Sequence, residues 1–386
     1  MWRLSVSFKI SGKHVLIDGV FRPATLCIED GYITQIQDDL EVGPGVVEAG
    51  ERYVIPGLIE LHTDNHEKYF EPRPGVEWPH MDALLAHDAH MATAGITTVY
   101  DAIALGYTIG DNKALRDRIA AESVQMILDV RHEGVFRVDH HLHLRCECSC
   151  EGTADVFAQW AGVDGIDLVS LMDHAPGQRQ FASLDRYREY YQGKFGWSDA
   201  VFESKMNEHV AAAEAHSQPN RKAIASLCQT HGISLASHDD ATLSHVDESC
   251  ELGCSVAEFP TTLEAGEASH ERGLHVLMGA PNVIRGGSHS GNVAAKDFAS
   301  RGWLDILSSD YYPTALLPAA VKLTDPEMGM SLAEAVQTVT TNPADAANMT
   351  DRGRLDVGLR ADVVLFTLDQ HTPRVSETYV SGRRVF

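Results

Sequence analysis

Six side chains of metal-binding type recur at one kind of position in this chain. His62, Asp64, Glu147, His174, His238 and Asp310 each stand at or just beyond the end of a short apolar run. In the clearest case, Val54, Ile55, Leu58, Ile59 and Leu61 give way abruptly to His62, Asp64, Asn65, His66 and Glu67. Alternate residues of a strand share a face, so His62 and Asp64 are expected to point the same way at its carboxyl end. Imidazole nitrogens and carboxylate oxygens suit a divalent ion such as zinc, manganese or iron. Three imidazoles and three carboxylates exceed the ligands of a single catalytic zinc and suit a pair of ions, which clamp a water and a substrate oxygen together. Glu147, with two oxygens to share, is the natural bridge. Asp310 is placed to take a proton from the attacking water, with His238 as the second candidate catalytic group.

Each residue also has an ordinary alternative. A strand-end His is often a hydrogen-bonded structural group, and Asp310 also suits capping of a helix beginning near Pro313. The repetition across five strands favours chemistry. Among His140, His141 and His143 at least one is expected to pack or to orient a ligand, and Asp173 and Asp239 are candidates for the same orienting role.

The elements that must position these groups follow from periodicity. Apolar runs at Ile96–Asp101, His140–Glu147, Ile166–His174, Ile233–Asp240, Ser255–Pro260, His275–Asn282 and Leu304–Asp310 follow the first, with helical patterns such as Lys113 to about Val135 between them. Eight such strands fit an α/β fold of the (β/α)8 TIM-like barrel type, in which function gathers at the carboxyl ends of strands. A polar, mostly helical excursion between Phe181 and Cys228 is a candidate lid. Both ends of the chain read as β-hairpins, among them Val6–Ile10, His14–Ile17, Thr25–Ile28 and Tyr32–Ile36, and then Asp362–Phe366 and Glu377–Val380. The expected organisation is a β-sandwich built from both termini (1–55 and 344–386) around a barrel over 56–343.

Ile284-Arg285-Gly286-Gly287-Ser288-His289-Ser290-Gly291-Asn292 follows the seventh run. Late barrel loops often hold phosphate through backbone donors, so Arg285, Gly287, Ser288, His289 and Asn292 are candidate substrate contacts, with Arg73 and Arg145 as further cations. An ordinary barrel loop is the alternative. The formal charge of −24 on 386 residues argues against nucleic-acid binding and obliges an anionic substrate to find local Arg or metal. The apolar runs are too short and broken for a membrane span, and Met1 to Lys9 lacks a signal peptide's apolar core, so a cytoplasmic protein is expected. The seven cysteines, with Cys146, Cys148 and Cys150 alternating as on one strand face, read as reduced structural thiols.

Pro56-Gly57-Leu58-Ile59-Glu60-Leu61-His62, the Ala361-Asp362-Val363-Val364-Leu365 stretch and Gly382-Arg383-Arg384-Val385 resemble the amidohydrolase superfamily. More narrowly, several blocks are similar to its phosphonate-metabolism diphosphatase family. They are His62-Thr63-Asp64-Asn65 with Pro72-Arg73-Pro74-Gly75-Val76-Glu77-Trp78-Pro79, Asp139–Glu147, Ala236–Asp240, Gly279–Asn282, Arg285–Asn292 and Ser309–Pro313. The resemblance covers essentially the whole chain. It implies a barrel with divalent metal, two ions of zinc or manganese, that hydrolyses α-D-ribose 1-methylphosphonate 5-triphosphate to the 5-phosphate and pyrophosphate in the carbon–phosphorus lyase pathway. Where the superfamily's first strand carries His-x-His, this chain carries His62-x-Asp64. Other superfamily reactions, hydrolysis of a cyclic amide or deamination, share the metals and need no polyphosphate cradle. A metal-bound scaffold subunit is disfavoured by the convergent ligands. A homodimer is compatible with such a barrel, although no interface is visible in the sequence.

Overall fold

The computed structural model describes residues 7–73, 75–107, 110, 113–179, 184–288 and 291–386. Four strands open the chain: β1 (Ser7–Ile17), β2 (Val20–Glu29), β3 (Tyr32–Gln37) and β4 (Val46–Pro56). The barrel follows with β5 (Leu58–Thr63), β6 (Ile96–Leu105), β7 (Asp139–Glu147), β8 (Ile166–Met172), β9 (Ser234–His238), β10 (Val256–Glu258), β11 (His275–Gly279) and β12 (Ile306–Ser308). Three strands close it: β13 (Val363–Asp369), β14 (Thr372–Val380) and β15 (Arg383–Arg384).

Strands β5 to β12 pair in sequence order, each parallel to the next. A parallel bridge between Thr63 and Asp310 brings the last strand's end back to the first, with the Asp310 N–H donating to the His62 carbonyl at 3.0 Å. Inside, Ile59, Leu61, Tyr100, Leu168, Ala236, Val256, Leu277 and Ile306 form one buried cluster drawn from every barrel strand except β7. That strand instead lays His141 against Tyr100, ring centroids 5.0 Å apart. At these positions the barrel interior is a packed apolar core, as in closed parallel barrels generally.

Both termini contribute to a second, seven-stranded sheet in the order β15-β14-β13-β4-β1-β2-β3. Two expectations change here. The runs expected to end at Ile10 and to begin at His14 are one strand, β1, which passes through Ser11-Gly12 with a register shift between Gly12 and Val15. Gly12 permits this because a Cβ there would lie 2.9 Å from that of Ala49. The apolar run from Val54 to Leu61 is also split between two sheets, Val54 and Ile55 pairing with β13 and Leu58 onward with β6. Gly57 is the joint. A Cβ on it would sit 2.1 Å from the Thr97 hydroxyl. Gly57→Ala is expected to destabilise the fold by about 1–3 kcal/mol, the usual range for overpacking. A lowered urea midpoint at constant m checks this, and an unchanged midpoint would show the joint to be loose.

The excursion after β8 forms helices Leu184–Phe195 and Asp199–His231. The longer one starts on Ser198, whose hydroxyl accepts from the Val201 N–H, and stops at Gly232 with φ +69°. It is anchored to the barrel by buried polar contacts: Ser217 and Arg221 bond Asp173 at 2.8 and 3.1 Å, and the Asn220 amide donates to the carbonyls of Cys148 and Cys150. Cys146 lies on β7, whereas Cys148 and Cys150 fall past its end, because the strand stops at Glu147; all three thiols are buried and unbridged. No helix among the described residues is long and apolar enough to cross a membrane.

Candidate active site

One buried carboxylate organises the floor of the barrel mouth. Glu258 ends β10 and is 1% exposed. Its Oε1 lies 2.6 Å from His62 Nδ1 and its Oε2 lies 2.6 Å from His238 Nδ1. Burial alone would raise its pKa, but the imidazoles of His62 and His143 and its hydrogen bonds hold it well below the carboxylate range. An ionised carboxylate accepts only, so both Nδ1 atoms carry hydrogen, and the Nε2 atoms are the ones turned away from Glu258, able to ligate a cation where they carry no proton. His143 donates from Nδ1 to the Leu61 carbonyl at 2.9 Å, and burial pushes it down to about 3, so it is neutral.

A second carboxylate repeats the device. Glu147 ends β7, and its Oε2 lies 2.6 Å from His174 Nδ1 while its Oε1 accepts from the His174 N–H at 3.2 Å and from Ser149 at 2.5 Å. Burial opposes ionisation, yet His174 and these hydrogen bonds hold Glu147 down at about 2. Both oxygens thus already serve His174 and Ser149, an arrangement unlike the bare bridge expected of it.

Above this floor a cleft of about 290 Å³ is lined by His62, Asp64, Arg145, His174, His238, Asp239 and Asp310, among others. Five of the six strand-end residues therefore share one space, and Glu147 lines the adjoining recess. His174, His238 and Asp239 bring ligand atoms within 4.8 Å of one another, as do His62, His143 and Glu258. Asp239 and Phe259, immediately beyond their strands, and Asp310, two residues beyond its own, take left-handed φ of 57°, 54° and 57°. Non-glycine residues held there store backbone strain, a pattern that clusters at functional sites. Burial, aided by Asp64 and opposed by His62, pushes the Asp310 carboxyl above its ordinary value.

Arg285, Gly287, Ser288 and Asn292 line the same cleft. The Gly286 and Gly287 N–H groups, however, close the helix Ala280–Arg285 by donating to Val283 and Asn282. These two N–H groups are therefore not the backbone donors expected of them. His289 lies outside the described residues. Arg73 is exposed on a turn bridged to Val76 and lines no part of the cleft. His140 and His141 point elsewhere, to Asp101 (2.7 Å) and Asp167 (2.6 Å). Asp101 also takes His87 at 2.8 Å, while Asp88 accepts the N–H groups of Arg137 and Val138. This network is buried under the helix His80–Thr93, and its carboxylates raise His140 to about 9 against the effect of burial.

Glu258 is the functional residue that pattern reading passed over. The sixth run was read through to Pro260, so its end looked chemically blank; the strand stops two residues earlier, on the one charged group of Val256-Ala257-Glu258.

The comparisons bear on this site directly. A model of the amidohydrolase family matches residues 277–386. The chain is 46% identical, over 98% of its length and 100% of the relative's, to the α-D-ribose 1-methylphosphonate 5-triphosphate diphosphatase of Escherichia coli (strain K12). The chain belongs to the amidohydrolase family. Another relative, the imidazolonepropionase of Solibacter usitatus (strain Ellin6076), is 28% identical over 92% of this chain and 86% of its own. The crystal structure of 5-methylcytosine deaminase from Klebsiella pneumoniae, liganded with phosphonocytosine, superposes with a TM-score of 0.64 at 15% identity, covering 98% of each chain, and shares the fold.

Amidohydrolases typically bind divalent metals, and the groups here suit such an ion. Asp64 Oδ1 and His143 Nε2 are buried without a hydrogen-bond partner, a costly state for a polar atom that a cation would relieve. Imidazole Nε2 atoms beside carboxylates form a donor set of the kind zinc and manganese take.

Proposed function

We propose that this cleft hydrolyses α-D-ribose 1-methylphosphonate 5-triphosphate to the 5-phosphate and pyrophosphate, a step of phosphonate catabolism by the carbon–phosphorus lyase route. The observation that carries this reading is the 46% identity to the diphosphatase over 98% of this chain and 100% of that relative. The ligand is a phosphorylated small molecule, and the cleft meets its charge locally with Arg145 and Arg285 although the chain as a whole is at −24. Arg145 Nε is buried without a partner, as an anion-directed guanidinium would be before its ligand arrives.

His62, Asp64, His174, His238 and Asp310 would hold two divalent ions, zinc or manganese, with Glu147 fixing His174 and Glu258 fixing His62 and His238. Such ions, when bound, make water acidic enough to react at neutral pH and offset charge on the phosphate oxygens. The chain's own groups do the rest. Asp310 accepts the proton of the water whose oxygen attacks the α-phosphorus. The bond from that phosphorus to the bridging oxygen breaks, and the electron pair leaves with pyrophosphate. Arg285, Ser288 and Asn292 hold the departing pyrophosphate, and Arg145 holds the phosphate that stays.

Phosphorus NMR on metal-replete and chelated protein tests the reading. Pyrophosphate and the 5-monophosphate are expected together, only with metal, and the chelated sample is expected to lose activity by more than about 10³-fold, the scale of a lost electrophile and nucleophile. In 18O-water the label is expected in the sugar phosphate; label in pyrophosphate would move the attack to the β-phosphorus. No turnover in metal-replete protein would turn the search to cyclic amides and deamination.

A further inference from the structure

A second recess opens beside the cleft, about 310 Å³ in volume, and the two share Asp64, Arg145 and His174 as a common wall. Its far side is built from Tyr107 and Arg116, which follow β6, and from Met172, Tyr190 and Lys194. Tyr190 and Lys194 come from the excursion helix Leu184–Phe195. None of these residues has a part in the phosphoanhydride chemistry described above.

The recess carries charges of both signs, with Arg116 and Lys194 on its far side. Arg116 lies 3.7 Å from Glu67, both side chains 39% exposed, so the pair is accessible to solvent. The Lys194 ammonium lies 5.9 Å from the Tyr190 ring centroid and 4.9 Å from that of Phe195, a cation backed by aromatic faces. Arg116, Lys194 and the shared Arg145 stand against the Asp64, Glu67 and Glu147 carboxylates of the same recess, and so supply local positive charge in a protein whose global field repels an anion. The reactive carboxylates thus stand between two cationic ends: Arg285 with Ser288 and Asn292 on one side, Arg116 with Lys194 on the other.

That layout matches a ligand whose scissile bond is internal and whose two ends are both anionic. We infer that the second recess holds the ribose ring and its 1-methylphosphonate, while the Arg285 side holds the departing pyrophosphate. The direction follows from the architecture: the loop after the seventh barrel strand is where such barrels commonly hold phosphate. The tyrosine faces and the Met172 thioether of the second recess suit a sugar ring and a methyl group. The inference rests on the diphosphatase reading and adds to it the residues that read the 1-substituent.

Lys194→Met and Arg116→Met are compared with Arg285→Met in full-length, metal-replete protein on two substrates. One is the methylphosphonate triphosphate and the other is D-ribose 5-triphosphate, which lacks the phosphonate. Each variant of the second recess is expected to lower kcat/KM for the phosphonate substrate roughly tenfold to a hundredfold, the range for a lost hydrogen bond to charge. The fall on ribose 5-triphosphate is smaller, so the preference between the two shrinks. Arg285→Met lowers both together and keeps the preference. Product inhibition reads the same point at equilibrium: Lys194→Met weakens inhibition by ribose 1-methylphosphonate 5-phosphate more than inhibition by pyrophosphate. The reverse pattern, with Lys194→Met weakening pyrophosphate and Arg285→Met erasing the preference, overturns the assignment. So does a preference unchanged in both Lys194→Met and Arg116→Met. Absence of pyrophosphate from wild-type protein on either substrate would instead remove the diphosphatase reading, and this inference with it.

Discussion

Asp310→Asn is expected to lower kcat for pyrophosphate release by about 10²–10⁴-fold, the usual scale for a lost general base. The substitution isolates the proton transfer because it keeps the local backbone. The Asp310 N–H donates to the His62 carbonyl and its own carbonyl accepts from the Thr63 hydroxyl at 2.8 Å, and neither bond involves the side chain. Asn also tolerates the left-handed φ of 57° that Asp310 adopts. An amide of the same shape can still offer one oxygen toward a cation but cannot accept the proton. Stopped-assay phosphorus NMR at saturating metal, with bound metal measured in parallel, separates the two roles. A fall of less than tenfold at full metal occupancy would place the base elsewhere, and Asp239, on the same rim, is the next group to test.

The barrel was legible in the sequence because each strand is apolar along its length and polar at its tip, a pattern that local periodicity captures. His62, Asp64, His174, His238 and Asp310 could be collected on that rule alone, and the structure brings them to one cleft. What the rule misses depends on contacts that sequence order hides. The Val54–Leu61 run reads as one strand, yet its two halves pair in different sheets, and Thr97, 40 residues downstream of Gly57, packs where a Cβ at that joint would stand. The Gly286-Gly287 pair reads as a set of backbone donors until the helix carbonyls of Val283 and Asn282 claim them. Arg73 sits among residues characteristic of the family but on an exposed turn. The second recess joins side chains that follow β6 with side chains of the excursion, and no local pattern links Arg116 to Lys194.

Glu258→Gln is expected to weaken divalent-metal binding by about 10–100-fold, the range for losing a carboxylate that orients ligating histidines. The argument is one of donors and acceptors. The Glu258 carboxylate takes the Nδ1 hydrogens of both His62 and His238, each at 2.6 Å. An amide of equal size has one accepting oxygen and one donating nitrogen. It can therefore satisfy one imidazole as found, while the other must turn its Nδ1 lone pair to the amide and carry its hydrogen on Nε2. An imidazole in that tautomer has no lone pair to give a cation in the cleft. The buried, 1% exposed site leaves no water to make up the difference. Glu258→Asp, shorter by one methylene, keeps the charge and should hold one histidine well, so a smaller loss is expected than with Gln. Chelator competition gives the affinities, and histidine 15N spectra of the metal-free protein report which nitrogen is protonated, independently of turnover. Two Nδ1-protonated imidazoles in Glu258→Gln, with metal affinity within about threefold of wild type, would show that packing alone orients them.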